Sequence, residues 1–173
     1  MKKFAALMLA LCLMLGCTAL ADNEITWEQV APTLEAAGVT GDFVTFDEIA
    51  VKVFIPTGMN AVELTDEYKE AGYIGYFRSD DGDDDTIAVQ YVNVDGMSLE
   101  DYKAAVEAVE GVTEVEAGTV NGLPCISYEY NGCLVCSFTT QMGYILEVVV
   151  GPLANDAEKV AASFVLASIQ AVE

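Results

Sequence analysis

The chain has 173 residues, with 28 Asp and Glu against 7 Lys and Arg, a formal net charge of −21, no histidine and 53% hydrophobic residues. So much apolar surface excludes a disordered acidic tail, and so few cations exclude a nucleic-acid binder, which must neutralise phosphates in number. Without histidine there is no Ser-His-Asp or Cys-His nucleophile and no His-ligated zinc or haem.

Lys2 and Lys3 precede an unbroken apolar run from Phe4 to Leu15, and Ala19-Leu20-Ala21 fits a small-x-small cleavage site. This pattern predicts a bacterial-type secretory signal over residues 1–21. Met14-Leu15-Gly16-Cys17 is the alternative: it resembles a lipobox, in which Cys17 would carry a lipid, although Leu15 departs from the usual small residue. Either route places the protein outside the cytoplasm. Cleavage after Ala21 removes both lysines and leaves residues 22–173 with a net charge of −23. About 150 residues without a Gly/Ser or Pro-rich linker make one domain with a sizeable core.

Residues 22–38 carry Trp27, Val30, Ala31, Leu34 and Ala37 at helical spacing, with Gly38 as the stop and Pro32 expected to start or bend the helix. Phe43–Phe46 and Ile49–Ile55 predict a strand pair joined at Asp47-Glu48 and closed by Pro56-Thr57-Gly58. Thr65 caps a short helix that Gly72 ends. Tyr73–Arg78 and Thr86–Val92 predict a second pair around an acidic loop. Ser98 with Asp101 opens a helix to about Val109, with Ala105, Val106 and Val109 on its buried side and Gly111 as its stop. Val112–Ala117 is a weak strand. Leu123–Tyr130, Cys133–Thr139 and Tyr144–Val150 are the clearest strands, the first two joined by Asn131-Gly132, a type I′ hairpin signal. Asn155 or Asp156 opens a last helix whose apolar face is Val160, Phe164, Ile169 and Val172.

This order predicts an α+β fold, a mostly antiparallel sheet with helices on both faces, in three layers. The chain also resembles a family. A helix before the first hairpin, the stretches IPTGM, MSLEDYKAAV, VNGLPCISYEYNG and GYILEVVVG, and a final helix ending ASIQ look like the Mog1/PsbP-like α/β/α sandwich of secreted or lipid-anchored bacterial proteins. The resemblance covers Phe43 to Val172. It implies a domain that binds other proteins or assembles on complexes, and it carries over no catalytic residues.

The residues offer few chemical sites. Asp80, Asp81, Asp83, Asp84 and Asp85 surround Gly82 and could wrap calcium, but they lack EF-hand spacing, so a solvated loop competes with a cation site. Cys133-Leu134-Val135-Cys136 has redox-motif spacing, yet it sits in a strand, where positions three apart face opposite ways. The hairpin register sets Cys125 opposite Phe138 and diagonal to Cys136; a disulfide between these two is open but not favoured. Three cysteines in the mature chain leave at least one unpaired. Glu129 and Glu147 interrupt apolar strands and are expected together on the face that carries Cys136, where burial would make them an acid pair. Tyr68, Tyr73, Tyr76, Tyr91, Tyr102, Tyr128, Tyr130 and Tyr144, with Phe77, are divided between core packing and an exposed partner patch. The expectation is therefore an exported, monomeric, non-catalytic module binding a protein or envelope component. The alternatives are a carboxylate-based exported hydrolase and a calcium-dependent binding module.

Overall fold

A computed structural model describes residues 24–80, 84–92, 94, 96–140 and 143–172. The signal segment, Cys17, Asp81 and Asp83 lie outside the described residues. The chain forms an eight-stranded sheet in the order β1-β7-β8-β9-β10-β6-β5-β4, antiparallel except for the β1–β7 pair. Its strands are β1 (Glu24–Ile25), β4 (Met59–Ala61), β5 (Tyr73–Ser79), β6 (Thr86–Tyr91), β7 (Thr113–Val120), β8 (Leu123–Tyr130), β9 (Cys133–Thr139) and β10 (Ile145–Gly151). A second antiparallel sheet joins β2 (Gly41–Phe46), β3 (Val51–Pro56) and β11 (Gln170–Ala171) in the order β11-β3-β2. The fold is thus mixed α+β with a large, mostly antiparallel sheet. The first predicted hairpin does not join that sheet, because β3 pairs on its other side with β11, a strand the apolar pattern merges into the last helix.

Among the described residues four α-helices accompany the sheets, α1 (Trp27–Ala37), α2 (Asp66–Glu70), α3 (Leu99–Glu107) and α4 (Asp156–Ala167), with a 3-10 turn at Asp47–Ile49. Helix α1 does not start at Pro32. Thr26 and Gln29 make a capping box ahead of Trp27, and the helix runs through Pro32 to Gly38, whose φ of 73° terminates it. The single hydrogen bond that Pro32 forfeits is offset by that cap and by burial of Val30 and Leu34. Helix α4 ends at Ala167, short of Ile169 and Val172, where the Ser168 hydroxyl accepts from Phe54 N–H and donates to Val165 C=O.

One face of the large sheet, here the inner face, packs on α4 and the second sheet. Phe77, Ile87, Val89, Cys136, Phe138, Leu146 and Val148 meet Val51, Val53, Val165, Leu166 and Ile169 there in one continuous core. A second cluster sets Val30 and Leu34 of α1 against Phe54 and Phe164. The outer face carries α3, whose Val106 packs with Ile126, Tyr128 and Val135, and with half-buried Leu99 and Tyr102. The buried side of α3 is therefore Leu99, Tyr102 and Val106; Ala105 and Val109 are exposed. Sequence periodicity favoured the aliphatic stripe and overlooked Tyr102, which lies on the packed side because its hydroxyl finds a buried acceptor.

Candidate functional site

The outer face beside α3 holds a groove of about 540 Å³. Its floor is β6, β8, β9 and β10, one wall is α3, and the other is the end of β5. A β-bulge shapes that second wall. Tyr73 pairs with Gln90 and Gly75 with Val89, so β5 spends two residues where β6 spends one. The extra residue brings Tyr73 and Tyr76 onto the same face, three positions apart, which regular alternation forbids. Their rings stand at 85° to each other with centroids 6.3 Å apart, and Tyr68 of α2 packs on both, 5.3 Å from Tyr73 and 5.8 Å from Tyr76. Across the groove stand Tyr102 on α3 and Tyr128 and Tyr130 on β8.

Glu147 of β10 lies on the groove floor at 8% exposure. Its Oε1 accepts from the hydroxyls of Tyr128 at 2.5 Å, Tyr102 at 2.6 Å and Ser137 at 3.1 Å, and its Oε2 accepts from Gln90 Nε2 at 2.9 Å. Burial, reinforced by the neighbouring Glu147 charge and its hydrogen bonds, pushes the Tyr102 hydroxyl up to about 12 and raises Tyr128 further. Tyr73 is raised as well, first by burial and then by Tyr68, Tyr76 and Glu147. Among the described residues no Lys or Arg pairs with Glu147; the ion pairs there are Arg78–Asp84, Lys103–Glu107, Lys159–Glu114 and Lys159–Glu129.

The expected acid pair is not assembled. Glu147 stands opposite Ser137, whereas Cys136 stands opposite Val148, so Glu147 faces away from Cys136. The pairing of Ile145 with Thr139 sets this register, and strand alternation does the rest. Glu129 stands opposite Leu134 on the inner side and pairs with Lys159 of α4, as does Glu114. These two carboxylates raise Lys159 to about 12, and Lys159 in turn lowers Glu114.

The hairpin reading holds in detail. Asn131 and Gly132 take φ of 51° and 75°, and Cys133, Cys136 and Phe138 face Tyr130, Ser127 and Cys125. Cys133 lines the groove, while Cys136 is buried in the inner core, so the C-x-x-C pair is split between faces. Cys125, Cys133 and Cys136 are free thiols. The Cys125 and Cys136 thiols touch; this contact and burial push Cys136 up, and the same contact lowers Cys125. In the acidic loop, Asp84 is held by Arg78 at 2.9 Å, and Asp80 and Asp85 line a separate depression of about 350 Å³ with Glu158. Among the described residues no three carboxylate or thiol side chains gather as metal ligands.

Sequence reasoning named every tyrosine of the groove but not their assembly. The available signal was the polar interruption of β10 at Glu147 beside the polar Ser137 of β9, which the pairing of Ile145 with Thr139 sets opposite each other.

Comparison with known proteins bears on the scaffold. No family model matches the chain, and no curated protein matches it. The solution structure of cyanobacterial PsbP (CyanoP) from Synechocystis sp. PCC 6803 matches with a TM-score of 0.54 and 16% identity, over 75% of this chain and 91% of that one. The fold is PsbP-like. The crystal structure of the Saccharomyces cerevisiae Ran-binding protein Mog1p matches with a TM-score of 0.42 and 10% identity, over 78% of this chain and 97% of that one. The CyanoP match bears out, at the level of fold, the resemblance drawn from the sequence motifs. No helix among the described residues is long and apolar enough to cross a membrane.

Proposed function

We propose that the protein is an exported, monomeric, non-catalytic binding module that takes a protein or envelope component in the tyrosine-lined groove. The observation that carries this reading is the saturation of Glu147. Its one buried carboxylate is committed to four internal donors. A general acid or base needs hydrogen-bond reach to a substrate proton, and a glycosidase-type site needs a second carboxylate across the scissile bond. Glu129, the other strand acid, belongs to the opposite face and to Lys159. Tyrosines at the groove offer wide contact area at low entropic cost, as binding surfaces favour. Export rests on the Lys2-Lys3, apolar and Ala19-Leu20-Ala21 pattern, with Cys17 as the lipid-anchored variant. The acidic loop at Asp80–Asp85 would add calcium dependence only if cation binding altered this surface.

The test is retention from native envelope material on immobilised protein, with Tyr76→Asp as the blocked-groove control. Recovery of a defined component by the wild type and its loss with the variant is expected. Turnover of a glycan or peptide substrate, abolished by Glu147→Gln while nothing is retained, would overturn the reading in favour of the carboxylate hydrolase.

A further inference from the structure

We propose that the occupant of this groove is a small organic ammonium compound, held by tyrosine ring faces over the buried carboxylate of Glu147. The inference rests on the groove being a binding surface and narrows its occupant, among envelope components, to one that presents a small alkylammonium group. Among the residues lining it, Glu147 alone is charged, and among the described residues no cationic side chain reaches it. An anion is therefore repelled from the floor, and the net charge of −21 draws cations toward the molecule as a whole.

The kind of cation follows from how Glu147 is bonded. Oε1 already accepts three hydrogen bonds and Oε2 one, so little lone-pair capacity is left for direct coordination. A hard metal ion needs six or more oxygens, and the groove presents no second carboxylate. A weakly hydrated alkylammonium needs no such cage. It is attracted by the negative faces of aromatic rings and by a fixed negative charge a few ångströms behind them. Five tyrosines line the groove, and at one wall the Tyr73 and Tyr76 rings meet at 85° with centroids 6.3 Å apart. Val106, Val135 and Val149 supply apolar wall for its alkyl body. A volume of about 540 Å³ suits a small molecule.

The probe is choline, titrated into the purified protein and followed by tyrosine fluorescence and by NMR of the tyrosine rings. Its control is the carbon isostere, an uncharged alcohol of the same shape. Saturable binding of choline, about tenfold weaker binding of the isostere, and about fivefold weaker choline binding in Tyr76→Leu are expected. Tyr73→Leu gives the same comparison should Tyr76→Leu fail to fold. Equal binding of choline and isostere would overturn the cation while leaving the groove as a binding surface. Binding of a lysine-containing peptide without binding of choline would replace the small ligand with a protein side chain. Saturation by none of the three would overturn the inference, and envelope retention would then judge the binding reading by itself.

Discussion

The Tyr128 hydroxyl reaches across β9 to donate to Glu147 Oε1 at 2.5 Å, so two strands that never pair are tied by one side-chain contact. This contact is the centre of the outer-face network. A hydrogen bond to a charged acceptor contributes more than a neutral one, because losing it leaves a buried carboxylate short of a donor. Tyr128→Phe should cost about 1.5–3 kcal/mol in urea unfolding. Tyr102→Phe should cost less, because its ring is only half buried. The double variant should depart from additivity, since both hydroxyls serve one oxygen. A neutral Tyr128→Phe would mean that Tyr102 and Ser137 alone satisfy Glu147 Oε1.

The same network sets an alkaline limit. Tyr102 and Tyr128 have folded pKa values above the unfolded value of 10.0. Below pH 10 both states are protonated and the contribution to stability is fully present. Above it the unfolded chain releases protons that the folded chain retains, so stability falls as pH rises toward about 12, the value for Tyr102. Urea unfolding measured from pH 8 to pH 11 should show this decline, about 1.4 kcal/mol per pH unit per tyrosine at most. The Tyr102→Phe, Tyr128→Phe double variant should lessen it without removing it, because Tyr73, Tyr91 and Cys136 are raised as well and act in the same direction. Lys159 declines in the same window but is exposed enough for solvent to screen its pairs, so its own share of the remaining slope should be small.

Asn121 is a second point where one side chain holds several elements. It sits in the β7–β8 turn with φ of 46°. Its Oδ1 accepts from Trp27 N–H at 2.6 Å, and its Nδ2 donates to Ala167 C=O at 2.9 Å and Ile169 C=O at 2.7 Å. It therefore joins the start of α1 to the end of α4. Asn121→Ala should cost about 2–4 kcal/mol, through three hydrogen bonds and a positive φ that Ala tolerates poorly. Asn121→Asp should be as damaging: it keeps the acceptor toward Trp27 but turns a carboxylate toward two carbonyl oxygens. Thermal unfolding of the two variants checks this, and a mild Asn121→Asp would contradict the assigned donors.

Gly75 is required by a close approach. A Cβ there would stand 2.5 Å from Cε1 and 2.9 Å from Cζ of Phe46, the residue that brings the second sheet against the bulge. Gly75→Ala should destabilise by about 1–3 kcal/mol. Phe46→Leu in the same chain should recover part of that loss, because the clash involves the far end of a side chain rather than backbone. A fully additive double variant would show that the strain lies in the bulge itself.

Much of the scaffold was legible because local chemistry decided it. Asn131-Gly132 set the β8–β9 register to the residue, and Ser98, Thr65 and Asn155 capped the helices they were expected to cap. What escaped were the short strands β1, β4 and β11, two or three residues each and too short for any periodicity, and with β11 the second sheet. The site was less legible. The β5 bulge breaks the period of two on which face assignment rests, and Tyr102 reads as a polar interruption of a helix until its acceptor on β10 is known. The expected sharing of a face by Glu147 and Cys136 fails by one residue of register, since Ile145 pairs with Thr139 and Glu147 therefore meets Ser137.

The β11 pairing has a consequence for the order of folding. Gln170 and Ala171 pair with Lys52 and Val51, Val172 N–H donates to Ala50 C=O, and Ile169 is fully enclosed. Contacts spanning well over a hundred residues carry a large loop-closure cost and form late. As the chain emerges from its amino end, Ile49, Val51 and Val53 must wait, uncovered, for nearly all the residues behind them. Loss of even the last handful of residues would reopen the core at its centre, whereas an extension beyond Val172 would have only to leave the β3 edge paired.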